Sequence, residues 1–246
     1  MRVDYAEVSL LGAREDNQDR ATAVVSPHAA LLVVLDGMGG HAHGELAAEL
    51  GCKVMVERFG QPQQPLLDPL GFLHLALGQA HEEVTALGAG LSIERRPRAT
   101  VAACLVQEGT AWFGHMGDSR LYLLRAGEVL LRTRDHSHVE LLLQGGLISP
   151  EQALTHPLRN FVEVCIGGDP MLPEMSIGRL QRVQSGDVIL ACTDGFWANL
   201  NDADITSALY PGENLTASLE MLARLAVQRG GPGSDNTTAA LLRIKD

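Results

Sequence analysis

The sequence predicts an α+β fold in which helices cover antiparallel sheets, and three observations carry that prediction. Short apolar runs rich in Val, Leu and Ala recur between Gly-containing breaks, two longer segments repeat apolar residues at helical spacing, and strands and helices follow one another in blocks rather than in strict βαβ alternation.

Taken in chain order, Ala21–Val25 and Ala29–Leu35 flank Ser26-Pro-His28, which reads as a hairpin. From Gly44 to Phe59 apolar residues fall at Leu46, Leu50 and Val54, and from Leu70 to Leu87 at Leu73, Leu77, Ala80, Val84 and Leu87, so both stretches read as amphipathic helices. Thr100–Val106, Ala111–Met116, Leu121–Leu124 and Val129–Leu131 follow, separated by Glu108-Gly109, Gly117-Asp118 and Ala126-Gly127, and are expected to form an antiparallel meander. Ser137 three residues before Glu140, and Ser149 three before Gln152, match the capping-box pattern of helix starts. The stretch from 137 to about 180 is therefore expected as a mixed insertion. The chain closes with a strand at Asp187–Cys192, a helix carrying Leu215, Leu219, Leu222 and Ala226, a Gly-rich turn at 230–233, and a strand at Thr237–Ile244. No repeat or linker divides these elements, so one domain spanning 1–246 is expected.

Composition narrows the function classes. The 246 residues are 46% hydrophobic, enough to bury a substantial core, and 30 acidic against 19 basic residues leave a net charge of −11. That balance disfavours nucleic acid as a partner and favours divalent cations or basic protein segments. Cys52, Cys104, Cys165 and Cys192 are far apart and set among apolar neighbours, the pattern of buried thiols rather than of disulfides or zinc ligands. Asp4 and Glu7 interrupt the start of the chain where a secretory signal needs an apolar stretch, and no run has membrane-spanning length; a soluble cytoplasmic protein is expected.

Five aspartates stand beside glycines or in tight turns: Asp19 in N-Q-D, Asp36 in D-G-M-G-G, Asp118 in G-D-S-R, Asp194 in T-D-G and Asp235 in S-D-N-T-T. If the first hairpin turns about residues 26–28, residues whose numbers sum to about 55 pair, which sets Asp19 opposite Asp36. Asp194 ends one apolar strand and Asp235 precedes another that can lie antiparallel beside it. Converging carboxylates repel one another unless cations compensate them, and oxygen-only ligands point to Mg2+ or Mn2+, with Ca2+ open. Gly37 and the Gly39-Gly40 pair let the backbone approach such an ion and offer a carbonyl to it.

These residues resemble the PPM or PP2C-type protein phosphatases, whose motifs occur here in family order: Gly12-Ala-Arg14, Asn17-Gln-Asp19, Val34-Leu-Asp36-Gly-Met-Gly-Gly40, Gly117-Asp-Ser-Arg120, Asp135-His-Ser137, Thr193-Asp-Gly195 and Asp235-Asn-Thr-Thr238. The resemblance implies a four-layer α-β-β-α sandwich with two central antiparallel sheets, and places a flap at about 137–180. It also implies roles. Asp36 bridges two metals, the Gly37 carbonyl ligates one of them, Asp194 and Asp235 hold the other, Asp19 acts through water, Asp118 with Asp194 binds a third, weaker ion, and Arg14 grips the substrate phosphate. Two cations about 3.5–4 Å apart would activate a water between them for attack on phosphorus. The expected enzyme is a Mn2+- or Mg2+-dependent serine/threonine protein phosphatase opposing a cognate protein kinase, monomeric and without a membrane or nucleic-acid partner. A non-catalytic phosphoprotein-binding or kinase-docking module, or a phosphatase of a small metabolite, stays open as an alternative.

The sequence departs from the family at three places. Met38 stands where many members carry a histidine proposed as general acid, Gln18 replaces a common acidic residue, and Arg98-Ala-Thr100 replaces Gly-Thr-Thr. His41 and His43 are weak candidates for the proton donor, His136 is expected to be structural, Arg120 is expected to form an ion pair beside Asp118, and Leu141–Leu143 to be packing.

Overall fold

Along β3 (Ala29–Met38) every residue from Ala29 to Leu35 is fully buried, so this strand has no solvent face. Leu31, Val33 and Leu35 point to one apolar cluster and Ala30, Leu32 and Val34 to another, because successive side chains leave a strand on opposite sides. A strand of this kind belongs at the centre of a layered structure. The computed structural model describes residues 2–38, 43–210 and 214–245 and shows those layers.

The chain begins with β1 (Arg2–Leu10) and β2 (Asp19–Val25), followed by β3, then helices α1 (Gly44–Gly60) and α2 (Pro69–Leu87). Strands β4 (Arg98–Ala99), β5 (Val101–Gln107), β6 (Thr110–Met116), β7 (Arg120–Arg125) and β8 (Glu128–Arg132) come next. Short helices α3 (His138–Gln144) and α4 (Pro150–Leu154) precede β9 (Ile166–Gly167), β10 (Ser176–Arg182) and β11 (Val188–Cys192). Helices α5 (Asp194–Trp197), α6 (Asp202–Leu209) and α7 (Leu215–Gly230) lead to the last strand, β12 (Thr237–Lys245).

Two antiparallel sheets result. One runs β1-β12-β11-β7-β8; in the other, β10-β6-β5-β3 is extended by β2 on the far side of β3, while β4 pairs with the end of β3 and with β9. Three apolar clusters fill the gaps. One joins α1 and α2 to the second sheet, one lies between the sheets, and one joins α5, α6 and α7 to the first sheet. The α+β, four-layer α-β-β-α sandwich is thereby borne out.

The hairpin register is as expected: β2 pairs β3 with Asp19 opposite Asp36. Other local expectations change. The four strands after α2 do not form one meander, because β5 and β6 pair in one sheet and β7 and β8 in the other. The crossing falls at Gly117, whose φ of +102° and close approach to Thr100 turn the chain out of its sheet. Leu46 is 49% exposed; α1 instead buries Val54, Met55 and Phe59 together with the small residues Ala47, Ala48 and Gly51, the last of which sits against Leu35 of β3. Ser149 and Gln152 complete a capping box, whereas Ser137 caps α3 alone and Glu140 accepts from Gln144. Leu141 is 55% exposed and is not core packing. Residues 176–182 of the expected insertion are strand β10, an integral sheet member paired with β6.

Candidate active site

The five aspartates arrive at one pole of the sandwich from both sheets. Asp19 opens β2 and Asp36 lies near the end of β3, facing each other across the ladder. Asp118 sits in the crossing turn between β6 and β7, Asp194 begins α5 directly after β11, and Asp235 immediately precedes Asn236 and β12. Asp36, Asp118, Asp194 and Asp235 line a cleft of about 590 Å3 together with Arg14, Gly37 and Gln18. Asp19 lies beneath it, 3% exposed.

Each carboxylate is held differently. Asp19 accepts a hydrogen bond from Thr193 Oγ1 at 2.9 Å, and its burial, outweighing that bond, pushes its pKa up to about 7. Asp36 is fixed through its backbone: its N–H donates to Thr100 Oγ1 at 3.2 Å and its carbonyl accepts from the Thr100 N–H at 2.9 Å. Burial first, and then Asp19, Asp194, Asp118 and Asp235 as like charges, raise its pKa well above the usual carboxylate range. Burial raises Asp118 to about 8 and Asp194 to about 6, with Asp194 adding to the first and Asp235 to the second. Asp235 accepts from Arg14 Nη2 at 2.7 Å and from the Asn236 N–H at 2.8 Å.

Several backbone approaches exclude side chains. A Cβ on Gly37 would lie 2.2 Å from the Gly44 carbonyl oxygen, one on Gly12 2.2 Å from the Asp235 oxygen, and one on Gly195 2.1 Å from the Asn236 oxygen. The strand containing Asp36 is thus drawn main chain to main chain against the start of α1 and Gln18, and the loop containing Arg14 and the turn containing Asp194 are both drawn against residues 235–236. Asn236 adds a staple: its side chain donates to the carbonyls of Leu11 and Asp16 and accepts from the Gln18 N–H, holding the 11–18 loop to the start of β12.

A divalent cation suits this donor set in chemistry. The donors are all oxygen, the carboxylates are buried and mutually repelling, and Asp194 Oδ1 is buried without a hydrogen-bond partner among the described residues. As the side chains stand, no three acidic, imidazole or thiol groups among the described residues are close enough to share one ion. Asp19 is turned to Thr193 and Asp235 to Arg14.

Other expectations find definite places. Arg120 forms an ion pair, but with Asp135 rather than Asp118: two parallel bonds of 2.7 Å join them, and the guanidinium lies 3.3 Å over the Trp197 ring. Trp197 Nε1 in turn donates to the Asp118 carbonyl at 2.9 Å. Asp135, Thr193 and Asn236, which stand in the quoted motifs without a role assigned to them, and Trp197, which stands in none, therefore support the site through partners distant in sequence. Val162 and Asn160 reach the cleft from the segment after α4. His136 is structural, stacked on His115 at 4.4 Å between ring centroids and bonded to Ser176 Oγ at 2.9 Å. His43 precedes α1 without a side-chain cap bond, and His41, Gly39 and Gly40 lie outside the described residues. Cys104 and Cys192 are buried, Cys52 and Cys165 partly so, and all four are free thiols.

Fold and site together define the class: an α-β-β-α sandwich of the PPM phosphatase type, with an aspartate-rich cleft at one pole. The chain belongs to the protein phosphatase 2C family, whose model matches residues 9–228. It is 32% identical over 238 residues to the serine/threonine protein phosphatase PstP of Mycobacterium tuberculosis, a match that covers 95% of this chain and 43% of that protein. The chain thus spans less than half the length of that relative. A Streptococcus agalactiae serine/threonine phosphatase superposes with a TM-score of 0.90 at 27% identity, covering 99% of this chain and 100% of the other. The catalytic domain of PstP in complex with two manganese ions superposes with a TM-score of 0.83 at 29% identity, covering 99% of each chain.

Proposed function

We propose that this protein hydrolyses phosphoserine and phosphothreonine monoesters in proteins, using divalent cations held by Asp36, Asp194 and Asp235 with the Gly37 carbonyl. Asp19 acts through water, and Asp118 with Asp194 serves a third, weaker site. The observation that supports this reading best is the convergence of Asp36, Asp118, Asp194 and Asp235 with Arg14 on one cleft, in a chain similar to serine/threonine phosphatases.

Two divalent cations, when bound, supply Lewis acidity toward phosphoryl oxygens and lower the pKa of water to near neutrality. The remaining work belongs to the chain. Arg14, carried on the loop stapled by Asn236, presents a forked guanidinium to two phosphate oxygens once it leaves Asp235. Asp19, beneath the cleft, is oriented by Thr193 to accept from a water above it. The Asp36 backbone, bonded both ways to Thr100, fixes that carboxylate so that little reorganisation accompanies the reaction. Met38 carries no proton at the position where relatives with a histidine have one, so protonation of the leaving alkoxide falls to water. We place the enzyme opposite a protein kinase, acting as a monomer in the cytoplasm; among the described residues no helix is long and apolar enough to cross a membrane.

Purified protein is expected to release nitrophenol from para-nitrophenyl phosphate with Mn2+ or Mg2+ and to stop on chelation. Asp36→Asn and Asp194→Asn are each expected to lower kcat by about a hundredfold or more, and to weaken Mn2+ binding measured by calorimetry. Turnover without metal, or a fully active Asp194→Asn, would overturn the assignment.

A further inference from the structure

Helix α2 turns Leu73, Ala76, Leu77, Ala80 and Val84 into the core beside the second sheet, and among these buried residues stands His81, 2% exposed. Its Nδ1 accepts a hydrogen bond from the Gly167 N–H at 3.1 Å, while its Nε2 is buried and meets no partner at hydrogen-bonding geometry among the described residues. A neutral imidazole that accepts at Nδ1 carries its proton at Nε2. Burial keeps the ring in that form, lowering its pKa against the Pro170 carbonyl, Glu82 and Asp169, which favour the charged ring. An N–H taken out of water without a partner works against folding, and a leucine at this place would bury none. What the imidazole supplies in return is the bond to Gly167.

That bond falls on a closely fitted segment. Gly167 has a φ of +79°, and a Cβ on it would lie 2.4 Å from the Pro97 carbonyl oxygen and 2.5 Å from Val84 Cγ1. The Gly168 N–H donates to the Pro97 carbonyl at 3.1 Å, and the Gly168 carbonyl accepts from Arg96 Nη1 at 3.0 Å. In β9, Gly167 pairs with Arg98 and Ile166 with Ala99; on the other side of β4, Ala99 pairs with Gly37 and Arg98 with Met38. Directly after β4 comes Thr100, bonded both ways to the Asp36 backbone. Two steps of ladder thus connect His81, which does not line the cleft, to the end of β3 that does.

Resting on the cation-dependent reading above, we propose that His81 is a positioning residue for the cation site: it holds β9 on β4 and thereby fixes where the end of β3 carries the Asp36 carboxylate and the Gly37 carbonyl. The reason is geometric. β4 has 2 residues, and so short a ladder is weak by itself. An acceptor that takes the Gly167 N–H adds a fixed point outside the sheet, on a helix anchored by the fully buried Leu73, Leu77, Ala80 and Val84. Groups that orient a ligand, without touching the metal, set metal affinity in this way.

The test is Mn2+ binding, by calorimetry, to the parent protein, His81→Leu and His81→Asn. Leucine fills much of the ring's volume and offers no acceptor, whereas asparagine carries Oδ1 on Cγ, as histidine carries Nδ1. His81→Leu is expected to raise the Kd for Mn2+ about tenfold and His81→Asn to stay within about threefold of the parent. A residue that merely filled the core would be better replaced by leucine than by asparagine, so the order of the two variants is the readout. His81→Leu binding Mn2+ as tightly as His81→Asn, or more tightly, would overturn the inference and leave the cation-dependent reading standing. Should a variant not fold, hydrogen exchange of the parent decides: Mn2+ is expected to slow the Gly167 and Gly168 amides about fivefold or more, since a site that depends on β9 holds β9 in return. Unchanged rates there would equally overturn the inference. A parent protein that binds no Mn2+ would overturn the cation-dependent reading and this inference with it.

Discussion

Gly37 shows how tightly the site is set at the level of single residues. Its backbone is not in the left-handed region, so the demand for glycine comes from space alone: a Cβ would meet the Gly44 carbonyl at 2.2 Å and the Gln18 carbonyl at 2.7 Å. Both obstacles are main chain and neither can rotate away. Gly37→Ala is expected to cost about 3 kcal/mol of stability by overpacking, read as a lower urea midpoint, and to weaken Mn2+ binding because β3 and the start of α1 must part. At this scale the sequence was most informative. The hairpin sum placed Asp19 against Asp36 correctly, since the side-chain period of a strand leaves one register that buries its apolar set. Thr193 and Asn236 stand in the quoted motifs, but their supporting bonds were not legible, nor was Trp197, because these bonds join Thr193 to Asp19, Asn236 to Leu11 and Asp16, and Trp197 to Asp118. Nothing local in a chain announces a bond of that span.

Between elements, the segment that follows β8 is tied back to β6 by a histidine stack. His136 lies on His115, accepts from the Gly117 N–H at 3.4 Å and meets Ser176 of β10, while His115 Nε2 bonds the Arg134 carbonyl. Burial, with the neighbouring His115, brings His136 down to about 4, and burial also lowers His115; Asp135 opposes the shift in both. The unfolded chain therefore takes up protons first as pH falls. The stabilisation is complete above about 6.5, the free-imidazole range, and is lost as pH falls toward about 4. His136→Gln, which keeps a group able to bond Ser176, is expected to flatten the fall in urea midpoint between pH 7 and pH 5; an unchanged profile would remove His136 as its source. Element boundaries were mostly legible, as for α2, where Leu73, Leu77, Ala80 and Val84 are all fully buried. The β6–β7 connection was not, because a Gly-Asp turn looks the same whether the chain reverses within a sheet or steps to the opposite one. The first strand was also missed: only Ala6 and Val8 of β1 are buried, and the charged residues among them hide the alternation.

For the molecule as a whole, the aspartate cleft makes stability depend on pH in the opposite sense to the histidines. Burial holds Asp19 near 7, Asp118 near 8 and Asp194 near 6, all above the unfolded value of 3.8. For a carboxyl raised in this way the folded state retains protons that the unfolded state releases, so stability is lost as pH rises from about 4 to about 8. Under the proposed function, cations held by these carboxylates would offset the penalty by favouring the ionised form. The gap between melting temperatures with excess Mn2+ and with chelator is accordingly expected to widen from pH 5 to pH 8, and taking the difference cancels the histidine contribution. A gap that narrows with pH would contradict cation binding by these carboxylates. The layered architecture itself was legible only through resemblance: alternating apolar runs predict sheets, but not that there are two of them stacked face to face.

Among the described residues, the order of those two stacked sheets leaves outer strands paired on one side only. In β10 the outer strand carries Arg179 and Arg182, in β8 Glu128 and Arg132, and in β1 Arg2, Asp4 and Glu7. Each unpaired ladder is thus a ready template for a strand from another molecule, and each is studded with charges that make such docking unfavourable. Replacing Arg179 and Arg182 together by valine is expected to leave the fold in place yet make the protein associate at high concentration, seen as rising light scattering. The guanidinium and carboxylate groups at its margins thus oppose any lengthening of this sandwich into a multimolecular sheet.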